Sequence, residues 1–288
     1  MPLVELTRWA LYLDLGVLFG VPTAAVLLGM PGVLKELRLA MLVIAMAAAP
    51  LALLGFWVLV ADMAGTSLGE VDSGLILDLA KGSTLGWAFI GRLVFLVAAL
   101  IVVALPAVDR RWLVLPAGAA LASLAWSGHA ASGEGMTGTF RLVVDMVHLA
   151  AASVWFGALA LFAVLLATGR HRAVLPAVLA RFADIGTLLV VVLVATGLAN
   201  LLFVKPQTQW FALAATPYGR MLVIKLGLFG AMLVLAAINR FFLVPELPAP
   251  ADKDIWPRLT LTISAEFGCA TALLASVAWL GHLDPLVS

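Results

Sequence analysis

The sequence predicts an all-α integral membrane protein, and three observations support this fold class. Of the 288 residues, 64% are hydrophobic and 11% are charged, whereas a soluble domain is usually about 45–50% apolar and about 25% charged. The apolar residues form continuous runs without the alternation of a transmembrane β-strand. The net charge of +1 offers no basic surface for nucleic acid. We therefore exclude soluble enzymes, disordered proteins and nucleic-acid binders, and expect a single membrane domain over residues 1–288.

Eight apolar runs approach the roughly 20 residues that a helix needs to cross the hydrocarbon core. They lie at 9–29, 39–61, 87–106, 112–131, 140–168, 182–204, 217–239 and 259–280. The first run carries Asp14 and lacks both a basic leader and a small-residue cleavage site, so we predict a retained helix and not a signal peptide. A single cysteine, Cys269, excludes an intrachain disulfide.

The charges of the loops set the predicted orientation, because Lys and Arg accumulate on the cytoplasmic side of a membrane. One alternating set of loops holds ten of the seventeen Lys and Arg residues, and we place this set in the cytoplasm. Eight spans then put both termini in the periplasm. The loop 62–86 has four acidic residues and one lysine, as expected on the periplasmic side.

Short patterns recur four spans apart, which indicates a duplicated four-helix unit. The recurring patterns are Trp-x-Gly-His at 126–129 and 279–282, Gly-x5-Arg/Lys at 86–92 and 219–225, and Val-x-Phe-Gly at 17–20 and 154–157. Because four spans is an even number, the two copies have the same orientation in the membrane. We therefore predict a parallel duplication, with pseudo-repeats at about 1–131 and 140–282.

Three of the four histidines fall in the predicted periplasmic leaflet. His129 ends the fourth span, His282 ends the eighth, and His148 lies about two turns into the fifth. Asp145 and His148 are three residues apart and therefore share a helix face. Ionisable groups inside a membrane are costly and are functional candidates by default.

These residues have the chemistry of a metal site. Met136 lies in the loop between His129 and the fifth span. Thioether ligands suit Cu(I) and imidazole suits either oxidation state, so the set favours copper, with zinc as an alternative. The predicted ligands are His129, His148 and Asp145, with His282 and Met136 as further candidates.

The remaining membrane-embedded charges have two open interpretations. Asp14, Arg92, Lys225 and Glu266 fit either a relay for an ion or proton, or structural pairing between helices. Methionines inside the spans, Met232 among them, are interpreted as core residues. The sequence reveals no continuous line of His, Met or Cys from His148 to the cytoplasm.

A b-type haem oxidoreductase is the alternative function. His129 and His148 lie on adjacent antiparallel spans and could supply two axial ligands. Histidines near both leaflets are expected of a dihaem bundle, and the predicted inner leaflet has none. The chain also lacks a Walker loop, a nucleophile elbow and a zincin motif, so we predict that it is not an enzyme.

The motifs together resemble the copper resistance protein D family (CopD, PcoD). The resemblance rests on the Asp-Met-Val-His sequence at 145–148 running into Trp-Phe-Gly at 155–157, on 126–129, and on Thr-Pro-Tyr-Gly-Arg at 216–220 leading to Lys225. It implies a multi-pass protein of the bacterial inner membrane that takes part in copper uptake from the periplasm. It also implies a periplasmic CopC-type copper-binding partner, which we expect to be a separate protein because both termini are short. On this interpretation, copper is accepted at the periplasmic face and passed inward.

Overall fold

The computed structural model describes residues 3–127, 135–204, 216–247, 255–281 and 283. Within these residues the chain is helical and contains no β-strand, which confirms the predicted all-α class. The α-helices are α1 Leu3–Leu27, α2 Val33–Glu36, α3 Arg38–Ala64, α4 Ser73–Gly82, α5 Thr84–Ala104, α6 Val114–Ala122, α7 Gly135–Thr168, α8 Leu175–Val204, α9 Pro217–Ile238 and α10 Ile255–Leu280. A π-helical turn, Asn239–Leu243, and a 3₁₀ turn, Val244–Glu246, continue α9.

Seven helices of the described chain are long and apolar enough to cross a membrane: α1, α3, α5, α7, α8, α9 with its continuation, and α10. The predicted fourth span is instead built of three pieces, with 3₁₀ turns Arg110–Leu113 and Ser123–Ser127 on either side of α6. Arg92 explains the second break, since its guanidinium binds the hydroxyl and the carbonyl oxygen of Ser123. In a continuous α-helix, that carbonyl would accept a hydrogen bond from the backbone N–H four residues later. The predicted span continues to residue 131, beyond this described range, and the count of eight stays a prediction.

Helices α5 and α9 begin with the same kind of N-cap, at positions that the predicted duplication makes equivalent. Before α5, the Ser83 hydroxyl accepts a hydrogen bond from the Gly86 backbone N–H at 2.9 Å. Before α9, the Thr216 hydroxyl accepts from the Gly219 N–H at 3.1 Å. A hydroxyl at the N-cap satisfies a backbone donor that the helix leaves without an internal partner. The duplication itself stays a prediction.

Helices α1 and α7 cross at two glycines, and this crossing lies at the centre of the bundle. A Cβ atom on Gly157 would overlap the backbone of Gly20, and a Cβ on Gly20 would overlap the carbonyl of Ser153. Small residues are what allow transmembrane helices to approach this closely. The two glycines are the final residues of the recurring Val-x-Phe-Gly pattern, and they hold the two predicted halves together.

The second half of the chain forms a four-helix group of α7, α8, α9 and α10. Helix α8 packs against α7, and α9 packs against α10, while the backbones of α8 and α9 make few contacts with each other. We call the end of the bundle where α7 begins the outer end, which the sequence predicts to be periplasmic, and the opposite end the inner end. The start of α1 lies at the outer end beside the end of α10, because the Arg8 guanidinium lies against Gly281.

Candidate functional site

Asp145 and His148 both project from α7 towards α8, so they share one helix face, as their spacing predicts. The Asp145 carboxylate accepts a hydrogen bond from the Asn200 side-chain amide at 3.4 Å. His148 Nδ1 lies 2.8 Å from the Thr196 hydroxyl. Because α7 and α8 are antiparallel, Asp145 lies beside Asn200 and, about one turn further along, His148 lies beside Thr196. We call Asp145, His148 and their surroundings the outer site.

The hydrogen bonds of Thr196 assign the tautomer of His148. The Thr196 hydroxyl donates to the Val192 carbonyl at 2.6 Å, one turn earlier in α8. Since a hydroxyl has one hydrogen to donate, His148 Nδ1–H is the donor in its contact with Thr196. Nε2 therefore carries the lone pair, and a neutral imidazole with its other nitrogen held in this way is a typical arrangement for a metal ligand.

His148 lines a cavity of about 400 Å³ between α7, α8, α9 and α10, which we call the outer cavity. The edge of the imidazole lies over Gly197, where a Cβ would be 3.6 Å from His148 Cε1. Lys225 also lines this cavity, and its charge interacts with both Asp145 and His148. The outer site thus combines a carboxyl group, an imidazole and the half-buried amino group of Lys225.

A second cavity of about 430 Å³ lies between the same four helices towards the inner end, and we call it the inner cavity. Glu266, Asn239 and Arg240 line it. Trp155 lines both cavities. On α7, Trp155 is seven residues from His148, a rise of about 10 Å. The two cavities are therefore arranged in series along the bundle, with the Trp155 indole at their boundary.

The structure does not bring all the predicted ligands together. Met136 is 89% exposed in the first turn of α7 and lies twelve residues, or about 18 Å, from His148, so the two do not share one coordination sphere. His129 and His282 lie outside the described residues. Within the described part of the chain, no group of three or more His, Cys, Asp or Glu side chains is close enough to hold a metal ion.

The other embedded charges occupy separate environments. Glu266 is 2% exposed and accepts hydrogen bonds from Trp155 and Asn239. The Oδ2 atom of Asp14 is buried without a hydrogen-bond partner among the described residues. Arg92, in the first half, donates to Ser123 beside a cavity of only about 50 Å³. At the position that the predicted duplication matches to Arg92, Lys225 lies beside a cavity of about 400 Å³.

Sequence reasoning missed the role of Thr196. Met232 is buried in the hydrophobic core, as predicted, and it also lines the outer cavity. The spacing of Lys225, Met232 and Asn239 contains a usable signal, because residues seven apart share a helix face. This face contributes Lys225 and Met232 to the outer cavity and Asn239 to the inner cavity. Thr196 offers no comparable signal, since hydroxyls that bond to the preceding turn are common in membrane helices.

Comparisons with known proteins place this arrangement in a family. Residues 2–139 match the family described as "Copper resistance protein D-like, N-terminal domain", and residues 176–280 match "Copper resistance protein D". The Copper resistance protein D of Pseudomonas syringae pv. tomato is 35% identical over 215 residues, which cover 70% of this chain and 69% of the relative. The chain belongs to the copper resistance protein D family. The predicted resemblance is thereby confirmed.

Two further relatives agree with this family assignment. The Inner membrane protein YebZ of Escherichia coli is 29% identical over 224 residues, covering 77% of this chain and 76% of the relative. The Copper transport protein CutJ of Bacillus subtilis is 31% identical over 161 residues, covering 55% of this chain and 28% of the relative. No solved structure matches the chain. This CopD-family chain is thus a multi-pass protein of the bacterial inner membrane in a copper-related family, and none of these names denotes an enzyme.

The two family matches leave out the part of the chain that supplies Asp145 and His148. The two matched ranges leave residues 140–175 between them, and this interval contains Asp145, His148 and Trp155. Of the cavity-lining residues already described, Lys225, Met232, Asn239 and Glu266 fall inside the second range. Family membership therefore identifies a copper-related protein, and the choice of ligands rests on the geometry of this chain.

Proposed function

We propose that the protein takes up copper, accepting the ion at the outer site and passing it inward through the second-half helices. The observation that carries this proposal is the pair of cavities in series between α7, α8, α9 and α10, with His148 in the outer one. A copper-related family supplies the identity of the cargo. A separate periplasmic CopC-type protein is the proposed donor of copper at the outer end.

His148 Nε2 is the central ligand in this proposal, and Asp145 supplies an oxygen ligand one turn earlier on the same helix face. His129 and His282 are proposed to complete the site from the outer end. An incomplete ligand set suits transport, because a cargo ion must exchange ligands quickly, whereas closed four-ligand sites are typical of structural metals.

The haem alternative finds no support in the described residues. They contain two histidines, His148 and His171, and the second lies in the loop after α7, beside Glu36 at 3.0 Å. The loop after α7 is at the inner end, opposite His148. No second described imidazole therefore faces His148 across a haem-sized gap.

The proposed function is tested with the purified full-length protein. We expect bound copper by elemental analysis and no Soret band in the visible spectrum of the same sample. Protein in liposomes should accumulate copper faster than empty liposomes. A Soret band would favour the haem alternative, and the absence of both copper binding and uptake would contradict the proposal.

Thr196 provides a finer test of the outer site. Thr196→Val keeps the side-chain shape but removes the acceptor for His148 Nδ1–H, so the imidazole loses its orientation. We expect copper affinity to fall by roughly 10–100-fold, the usual effect of losing a supporting hydrogen bond to a ligand. Competition with a copper chelator measures this change. Thr23→Val is the control, because the Thr23 hydroxyl bonds only to its own helix α1; equal affinities in the two variants would refute the assigned tautomer.

A further inference from the structure

Four side chains form a polar cluster beside the inner cavity, which we call the inner cluster: Trp155, Asn239 and Glu266, which line the cavity, and the half-buried Thr262, which bonds to Asn239. Trp155 Nε1–H donates to Glu266 Oε1 at 2.8 Å. Asn239 Nδ2 donates to Glu266 Oε2 at 3.3 Å, and the Thr262 hydroxyl donates to Asn239 Oδ1 at 2.5 Å. The cluster connects α7, the π-helical turn after α9, and α10.

The inner cluster continues the series of polar positions that begins at the outer site. Along α9, Lys225, Met232 and Asn239 follow one another at intervals of seven residues, each a rise of about 10 Å. Lys225 is beside the outer site, Met232 lines the outer cavity, and Asn239 lines the inner cavity. A soft thioether thus lies midway between an imidazole at one level and a carboxylate at the other.

The chemistry of the inner cluster suits a group that gains and loses a cation. With Glu266 ionised, both carboxylate oxygens accept hydrogen bonds, as observed. When Glu266 is protonated, its hydroxyl needs an acceptor. The Asn239 side chain supplies one by turning over, so that its amide oxygen faces Glu266 and its amide nitrogen donates to the Thr262 hydroxyl. The hydrogen bonds are therefore satisfied in either charge state. A cation bound by the carboxylate removes its charge in the same way that protonation does.

The backbone at Asn239 is also unusual. The helix widens there into a π-helical turn over Asn239–Leu243, a feature that is rare and frequent at functional sites. Arg240, the next residue, also lines the inner cavity. Its guanidinium donates to Asp184, Thr187 and the Ala183 carbonyl on α8. Arg240 is therefore engaged with α8, and the Glu266 carboxylate has no described cationic side chain bonded to it.

We infer that the inner cluster is a second cation site, at which copper moving inward is held by Glu266 and the Asn239 amide oxygen after it has passed Met232 and Trp155. This inference rests on the proposed function. An ion crossing the centre of a membrane is costly unless a fixed opposite charge compensates it, and Glu266 provides that charge. Oxygen ligands are harder than imidazole or thioether and hold copper less tightly, which favours release at the inner end.

The test compares copper binding and copper uptake in three variants of the full-length protein. Glu266→Gln removes the charge, and the cluster stays hydrogen-bonded once the Asn239 amide reverses, because the Asn239 oxygen then accepts from the new amide nitrogen. We expect copper affinity at the outer site to stay within roughly twofold of the unmodified protein, and uptake into liposomes to slow by roughly tenfold or more. Glu266→Asp, which keeps the charge, should recover part of the lost rate. Glu5→Gln is the matched control, because Glu5 is a 1% exposed glutamate in α1, away from both cavities, and its uptake rate should not change.

The outcomes separate this inference from the proposed function. Uptake by Glu266→Gln at the unmodified rate would overturn the inference and leave the proposed function intact. Slow uptake in Glu266→Gln and Glu266→Asp alike, with loss of folded protein on gel filtration, would assign the inner cluster a purely structural role and also overturn the inference. Absence of copper uptake by the unmodified protein would overturn both.

Discussion

Substitution of His148 by alanine should abolish copper binding at the outer site while leaving the protein folded. The imidazole lines a cavity, so its removal takes few packing contacts away, and alanine is the best helix former at that position. The only described imidazole near the outer cavity is then lost. We expect the fall in affinity to exceed the roughly 10–100-fold cost of losing a supporting hydrogen bond. Copper stoichiometry after desalting, measured beside gel filtration in detergent, gives the result.

A matched control is His171→Asn. His171 has a positive φ of 61°, a conformation that asparagine tolerates better than alanine does, and its ring contacts Glu36 at the inner end. This variant should bind copper as the unmodified protein does. Full copper stoichiometry in His148→Ala would mean that the cargo is held elsewhere, with His129 and His282 as the first residues to examine.

Substitution of Gly157 by leucine should prevent the protein from folding. The backbones of α1 and α7 meet at Gly157 and Gly20, and any Cβ at Gly157 overlaps main-chain atoms of α1. Main-chain atoms cannot adopt another rotamer, so the helices must separate along their length. The cost should therefore exceed the roughly 1–3 kcal/mol typical of an overpacked core. We expect little or no monodisperse protein from detergent extracts.

Gly227→Leu is the control for this substitution. Gly227 lies on the exposed side of α9, and a Cβ there meets no other atom within 4 Å. This variant should be recovered in the same yield, and with the same thermal midpoint, as the unmodified protein. If Gly157→Leu behaved in the same way, the crossing of α1 and α7 would be looser than the structure describes.

Local periodicity was enough to predict part of the outer site. Asp145 and His148 share a helix face because of a spacing of three residues, and both indeed face α8. The same reasoning was right for Met232 and wrong for Met46, because a methionine in an apolar helix has the same appearance in sequence whether it faces lipid, the core or a cavity. Met46 and Met232 illustrate this, since Met46 is 58% exposed and Met232 is 5% exposed.

The broken fourth span shows a second limit of prediction from sequence. The apolar run at 112–131 predicts a helix by length and hydropathy alone. Its second 3₁₀ turn, at Ser123–Ser127, is explained by Arg92, which lies about 30 residues earlier in the chain and binds the Ser123 carbonyl from α5. A tertiary hydrogen bond therefore changes a local structure that local composition would leave as one helix.

The sequence by itself determined the all-α membrane class, the approximate helices, the family motifs and the pairing of Asp145 with His148. These properties depend on hydropathy and on spacing within one helix. Only the tertiary structure decided that the cavities lie between α7, α8, α9 and α10, that Trp155 separates them, and that Glu266 is bonded to Trp155 and Asn239. The physical reason is that a helix in a bilayer is apolar on its lipid-facing and buried sides alike, so hydropathy does not encode which faces meet or where they leave a gap.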